Sequence, residues 1–326
     1  MDPASSTELL YRAVSSLKKA NARKAQAHER QIAKLFNERF PIASNQLGHD
    51  SPAVRLAGVH ALASLADNAL TPGLRQMVIN VMCAYLRMPY TPDPGDDGAA
   101  DKRLLFAGLR EVRHTIIRII ASHLRDGAAV SWRDHIFDLS GVVFDGGDFS
   151  AVEFSKCVID FRHATFSGGT VDFRHATFSG NMVLFNSAVF SGGTVDFRGA
   201  EFSDGTIDFF GSVFYGGRLD FRHAMFSGGK VDFGCAVLYD GTIDFFGSVF
   251  SGGRVNFSGT EFYDGTVDLR HATFAGGTVW FRNAREWWRT PTMRESVPAG
   301  VLLPVRQQEA IEPEGGVIGT VQGGGL

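Results

Sequence analysis

Cysteine is scarce. Cys83, Cys157 and Cys235 stand far apart in a chain of 326 residues, so neither a disulfide framework nor a metal-ligand spacing is on offer. Tryptophan (4) and tyrosine (6) are few. No uncharged apolar run approaches the ~20 residues of a membrane span; a typical one, Val78 to Leu86, is broken by Asn80. The opening Met1-Asp2-Pro3 lacks the basic-then-apolar layout of a secretory signal. The glycine pairs carry no following Lys-Ser/Thr, so no phosphate-cradling loop is present. Ser, Asp and His recur as repeat positions, and no local break in the pattern pairs a nucleophile with a base. These absences predict a cytoplasmic protein that is not an enzyme and uses no cofactor or metal.

What is abundant is glycine (38) and phenylalanine (28). From Phe161 the chain recurs every 12 residues as F-x-x-A-x-F-S-G-G-x-V-D. Phe161, Phe173, Phe185 and their successors fill one slot, with Leu269 the only substitute. Phe166, Phe178, Phe190 and theirs fill the second, with Leu238 the only substitute. A small residue precedes the second slot by two, and an aliphatic residue precedes the first by two. Apolar residues at i and i−2 mark short strands facing a core. The second residue of each glycine pair (Gly169, Gly193, Gly205) is replaced only by Asn181, which predicts one left-handed bend per 12-mer. Entry steps between Phe137, Phe144, Phe149, Phe154 and Phe161 run 7, 5, 5, 7, so the interchangeable unit is one face. A four-faced coil of about 24 residues follows, with Phe166 stacked on Phe190. Residues 137–285 then make about six coils and a rod of ~30 Å.

Runs such as Ala164-Thr165-Phe166 and Ala176-Thr177-Phe178 resemble the pentapeptide-repeat family, in a Phe-rich subclass with Gly-Gly insertions. The resemblance implies a right-handed quadrilateral β-helix. Ahead of it, residues 7–38 read as a basic helix, and helical periodicity returns after Ser51-Pro52, in Leu74 to Leu86 and in Glu111 to Leu124. The stretch Ser51-Pro52-Ala53-Val54-Arg55 onward resembles the HEAT-like helical head of actinobacterial members of that family. The predicted fold is thus α+β by segment: an all-α head over residues 1–130, a β-solenoid over 131–288 and a flexible tail over 289–326. The head caps one end of the solenoid, and Trp280, Trp287 and Trp288 cap the other.

Charge is divided unevenly, +5 over residues 1–135, −6 over 136–285 and −2 beyond. With a 24-residue coil, Asp172, Asp196, Asp220, Asp244 and Asp268 align outward on one face, beside Arg174, Arg198, Arg222 and Arg270. These columns either neutralise each other or present charge to a protein partner. His175, His223 and His271 fall two coils apart, about 10 Å, too far to share a metal ion. Family resemblance adds DNA gyrase as a possible partner, bound by a DNA-mimicking acidic stripe; direct nucleic acid binding is not expected. The basic helix, with Lys18, Lys19, Arg23, Lys24, Arg30 and Lys34, is a candidate docking element for a partner or an anionic membrane surface. The expected function is a non-catalytic scaffold that binds a protein partner. The oligomeric state is open.

Overall fold

Two Pro-headed segments begin helices where a polar cap precedes the proline: Ser51 before Pro52, and Thr71 before Pro72, whose ring suits the first helical turn. The Thr71 hydroxyl accepts the Leu74 N–H at 3.3 Å. The computed structural model describes residues 3–90, 93–180, 182–286, 291–293 and 296–304, with side chains from residue 15. Its head comprises α1 (Pro3–Leu47), α2 (Pro52–Asp67), α3 (Pro72–Arg87) and α4 (Ala100–Leu124). Val59 and Leu62 of α2, Val78 and Met82 of α3, and Val112, Ile116 and Ile120 of α4 are fully buried. Among its described side chains, helix α1 joins this core through its C-terminal part, at Phe36, Ala43 and Leu47, and it runs through Pro41. Residues 16–31 are exposed on every side. No described helix is long and apolar enough to cross a membrane.

The remainder is a parallel β-solenoid with four faces. Face 1 stacks eight strands from Ile136–Asp138 to Val301–Leu302, and faces 2, 3 and 4 stack six each, opened by Val143–Phe144, Gly147–Asp148 and Glu153–Ser155. Partners along a face are 24 residues apart, as in Val189 against Val213 and Asp196 against Asp220. Phenylalanine rings stack in register on all four faces: Phe166 on Phe190 at 4.8 Å, Phe197 on Phe221 at 4.7 Å, Phe202 on Phe226 at 4.7 Å and Phe233 on Phe257 at 4.7 Å. The spacing is that of adjacent strands. Beneath the corners from Ala164 to Thr260 the small slot is fully buried. Where it is polar, as at Ser212, Ser248 and Thr260, the hydroxyl donates to a backbone carbonyl at 2.7 Å.

The structure corrects the sequence reading in four places. There are about seven coils, not six, because Val301–Leu302 pairs with Thr278–Trp280 and turns Val301 and Leu303 into the core over Val279 and Phe281. Part of the expected tail is therefore a strand; Trp287, Trp288 and residues 305–326 lie outside the described residues. The first coil is two residues short: Phe137 pairs with Ile159 in the aliphatic slot, and Leu139 precedes face 2 where Phe161 does one coil later. Each half-coil has a second left-handed residue, at positions such as His163, His175 and Gly211, in a turn closed by bonds like Ala164 N–H to Phe161 O. Finally, Gly253, Gly265 and Gly277 are not left-handed; at Gly265 a Cβ would lie 2.4 Å from Leu238 Cβ, so close packing on the coil beneath excludes a side chain.

Helices α3 and α4 close the first coil. The Gln76 side chain accepts the Ile136 N–H at 2.9 Å and donates to its carbonyl at 2.7 Å, replacing the missing neighbour strand. Buried Arg113 donates to Leu86 O and Val143 O, both at 2.7 Å, and lies over the Tyr90 ring. Asp145 receives Tyr90 Oη, Arg110 Nε and His114 Nε2 at 2.9 to 3.0 Å.

Two glycines separate conformational strain from collision. At Gly193 (φ +69) a Cβ would fall 2.6 Å from backbone atoms of Gly168 and Gly169, whereas at Gly211 (φ +67) the nearest atom is 3.8 Å away. Gly211→Ala should cost about 1–2 kcal/mol, the left-handed penalty alone. Gly193→Ala should exceed ~4 kcal/mol, because the coil beneath must shift. Urea unfolding of both variants measures the difference; equal losses would contradict this assignment.

Candidate interaction face

The Asp-Phe-Arg triplets that begin at Asp172, Asp196 and Asp220 on face 3, and Asp268-Leu269-Arg270 after them, send the middle residue inward and leave the flanking Asp and Arg on the same side. Strand register places Asp172, Asp196, Asp220, Asp244 and Asp268 in one column, with Asp148 at its head. The alignment is as expected; the outward presentation is not. Asp196 and Asp220 are only 3% exposed. Each Asp accepts the backbone N–H of the residue two ahead, at 2.8 Å for Asp172, which bends its carboxylate along the chain. The Arg of the same triplet then grips it through Nε and Nη2. Nη2 distances are 2.7 Å for Arg174–Asp172, 2.6 Å for Arg198–Asp196, 2.6 Å for Arg222–Asp220 and 2.7 Å for Arg270–Asp268. Nε of Arg174, Arg198 and Arg222 also lies 3.8–3.9 Å from the Asp of the next coil. Each guanidinium spans two carboxylates and covers them. Side-chain exposure is 36–53% for Arg174, Arg198, Arg222 and Arg270, against 4–16% for the Asp partners they grip.

The Arg row has two gaps. Ser150 follows Asp148, whose carboxylate takes Arg125 of the head instead. Phe246 takes the Arg position after Asp244, and Arg218, from the strand one coil earlier, bonds Asp244 instead. Arg218 and Asp148 were not singled out from sequence. The signal for Asp148 is its 24-residue offset from Asp172; for Arg218 it is an Arg where the other strands of the face carry Thr170, Thr194, Thr242 and Thr266. Face 1 has no comparable column: after Asp160–Arg162, Leu184, Asn256 and Trp280 interrupt it.

Corner histidines serve packing. His175 and His223 lie at φ +58 and +59. Their rings extend over the glycine of the next coil, where a Cβ would meet Nδ1 at 2.8 Å over Gly199 and 2.7 Å over Gly247. Among the described residues no group of three or more His, Cys, Asp or Glu could hold a metal ion. Lys18, Lys19, Arg23, Lys24, Arg30 and Lys34 all lie exposed on α1, with Lys34 3.8 Å from Glu38.

Residues 139–188 match the family model described as Pentapeptide repeats (9 copies). That match places pentapeptide repeats in the first coils of a four-faced parallel β-solenoid that carries an α-helical head. No curated protein and no solved structure matches the chain.

Two carboxyls of the column differ in a testable way. Burial opposes ionisation of Asp268, but hydrogen bonds from the Arg270 side chain and backbone outweigh it, and the carboxyl is held below its ordinary value. At Asp244 burial prevails over the Phe246 N–H and Arg218, with Asp220 and Asp268 adding repulsion, and the carboxyl is raised. A depressed carboxyl contributes stability above its unfolded value, and that contribution is lost as pH falls through the folded one; a raised carboxyl costs stability when ionised. At pH 7, Asp268→Asn should therefore lower stability by on the order of 1 kcal/mol, while Asp244→Asn leaves it unchanged or raises it. The loss in Asp268→Asn should begin to shrink as pH falls through the ordinary carboxyl range, about pH 4, and disappear only below the lower folded value. Thermal melts across pH 2–7 check the sign of each.

Proposed function

We propose that this protein is a non-catalytic, cytoplasmic scaffold that binds a protein partner through face 3 of its solenoid. One observation carries the reading: a guanidinium row repeated from coil to coil, each member fixed by a bidentate bond to a carboxylate that itself accepts a backbone N–H of the turn. Such a row loses little side-chain freedom on binding, which favours recognition over catalysis. Pentapeptide-repeat solenoids are in general structural or binding proteins, and the repeat encodes a core. The exposed basic stretch of α1 supports a second docking element, for the same partner or for an anionic surface.

The gyrase-binding alternative draws little support from this face. Mimicry of DNA requires carboxylates turned toward the partner, and here they lie beneath the guanidinium groups.

The test uses the full chain, immobilised, with lysate of the source cells. Paired replacements Asp172→Asn/Arg174→Gln, Asp196→Asn/Arg198→Gln and Asp220→Asn/Arg222→Gln remove the row without leaving a buried carboxylate alone. A protein retained by the wild type should be lost from this variant at least tenfold, and kept by a face 1 control, Asp232→Asn/Lys230→Gln, with both variants folded by circular dichroism. Retention indifferent to face 3 would overturn the reading. In parallel, a gyrase supercoiling assay with and without a quinolone should show neither inhibition nor protection.

A further inference from the structure

Face 3 is not an open wall along its whole length. Helix α4 stands beside its first coils, and Arg110, His114 and Arg118, spaced four apart on one side of that helix, face the row formed by Arg174, Arg198 and Arg222. Between the two walls lies a cleft of about 660 Å³. Its floor carries Thr170 and Thr194. From Asp148 to Asp220 it spans four strands of face 3, so its length is ~14 Å, that of about four extended residues.

The charges in the cleft are nearly balanced in number but not in presentation. Asp145, Asp172, Asp196 and Asp220 are 4–19% exposed, and each already accepts hydrogen bonds from protein groups; only Asp148, at the head end of the cleft, is more open, at 48%, and it too accepts from Ser150 and Arg125. Arg110, Arg118, Arg174 and Arg198 are 42–49% exposed. Arg174, Arg198 and Arg222 engage their carboxylates through the Nε/Nη2 edge, which leaves the Nη1 end of each fork, with its two N–H donors, directed away from the Asp. Nε of Arg218 makes no hydrogen bond at all, lying 3.5 Å from Asp220. The cleft therefore offers directional donors fit for carboxylates over a floor whose own acids oppose dense negative charge.

We infer that this cleft is a docking site for an extended acidic peptide segment, about four residues long, whose carboxylates meet the free fork ends of face 3 on one side and Arg118 on the other. Closely spaced charge, such as a nucleic acid backbone with a phosphate every ~3.4 Å of rise per strand, meets the column of carboxylates beneath and is disfavoured. The inference rests on the scaffold reading and adds to it the chemistry of the partner and the participation of the head.

The probe is a fluorescein-labelled decapeptide of alternating Glu and Gly, titrated with the full chain at low salt and followed by anisotropy. A Lys-Gly decapeptide, a ten-nucleotide oligothymidine and inorganic phosphate as competitor complete the set. Arg118 bonds only Glu111 and Thr115 of its own helix, so Arg118→Gln removes a cation of the α4 wall without touching the rod. Saturable binding of the Glu-Gly peptide is expected, weakened at least threefold by Arg118→Gln and at least threefold by Asp196→Asn/Arg198→Gln. Tighter binding of the oligothymidine, displacement by phosphate at equal charge, or identical binding by both variants would overturn the inference. If Arg118→Gln changes nothing while the captured partner still depends on face 3, the two-walled cleft fails and the scaffold stands. If neither peptide nor partner binds, both fail.

Discussion

Parallel strands stacked every ~4.8 Å oblige each side chain to rest on its counterpart one coil earlier. In this solenoid that constraint is met by planar rings, which fill the interior of a four-faced coil and stack nearly parallel at the same spacing, as Phe173 does on Phe197 at 5.0 Å and 8°. Everything else follows the register so fixed. Small residues must sit beside the rings, glycines must occupy corners where one backbone crosses another, and polar side chains on the outside are compelled into columns. A one-residue slip anywhere would turn the whole inward set outward.

The same register explains how much could be read from sequence. The 24-residue coil, the stacking of Phe166 on Phe190 and the alignment of Asp172 through Asp268 all follow from spacing, because each repeats and each failure of the repeat would be visible. What spacing does not carry is local hydrogen bonding. Asp196 occupies an outward position by periodicity, yet its turn-closing bond to the Arg198 N–H and its clasp with the guanidinium tuck it to near-complete burial. The surface at that position is cationic, although the composition of the segment is acidic. Likewise the pairing of Val301–Leu302 with Thr278–Trp280 was hidden because two alternating apolar residues are a weak signal outside the repeat.

The head is where the sequence was least explicit and the structure adds most. Its helices were legible, but their relation to the rod depends on unrepeated side chains: Gln76 at the strand edge, Arg113 between α3 and face 2, Trp132 stacked on His123 at 4.0 Å. None of these has a periodic signature. They join head and solenoid through one continuous apolar core, so α4 is held beside face 3 and can share in whatever that face binds.

The histidine corner bears on how such a rod changes length over generations. Because the His175 ring extends over Gly199, and that of His223 over Gly247, neighbouring coils on this edge are not equivalent; bulky and bare positions alternate. Excising one coil would set a ring against a ring, whereas excising two would restore the sequence of contacts. The exterior of this edge thus recurs every two coils, on a molecule whose interior recurs once per coil.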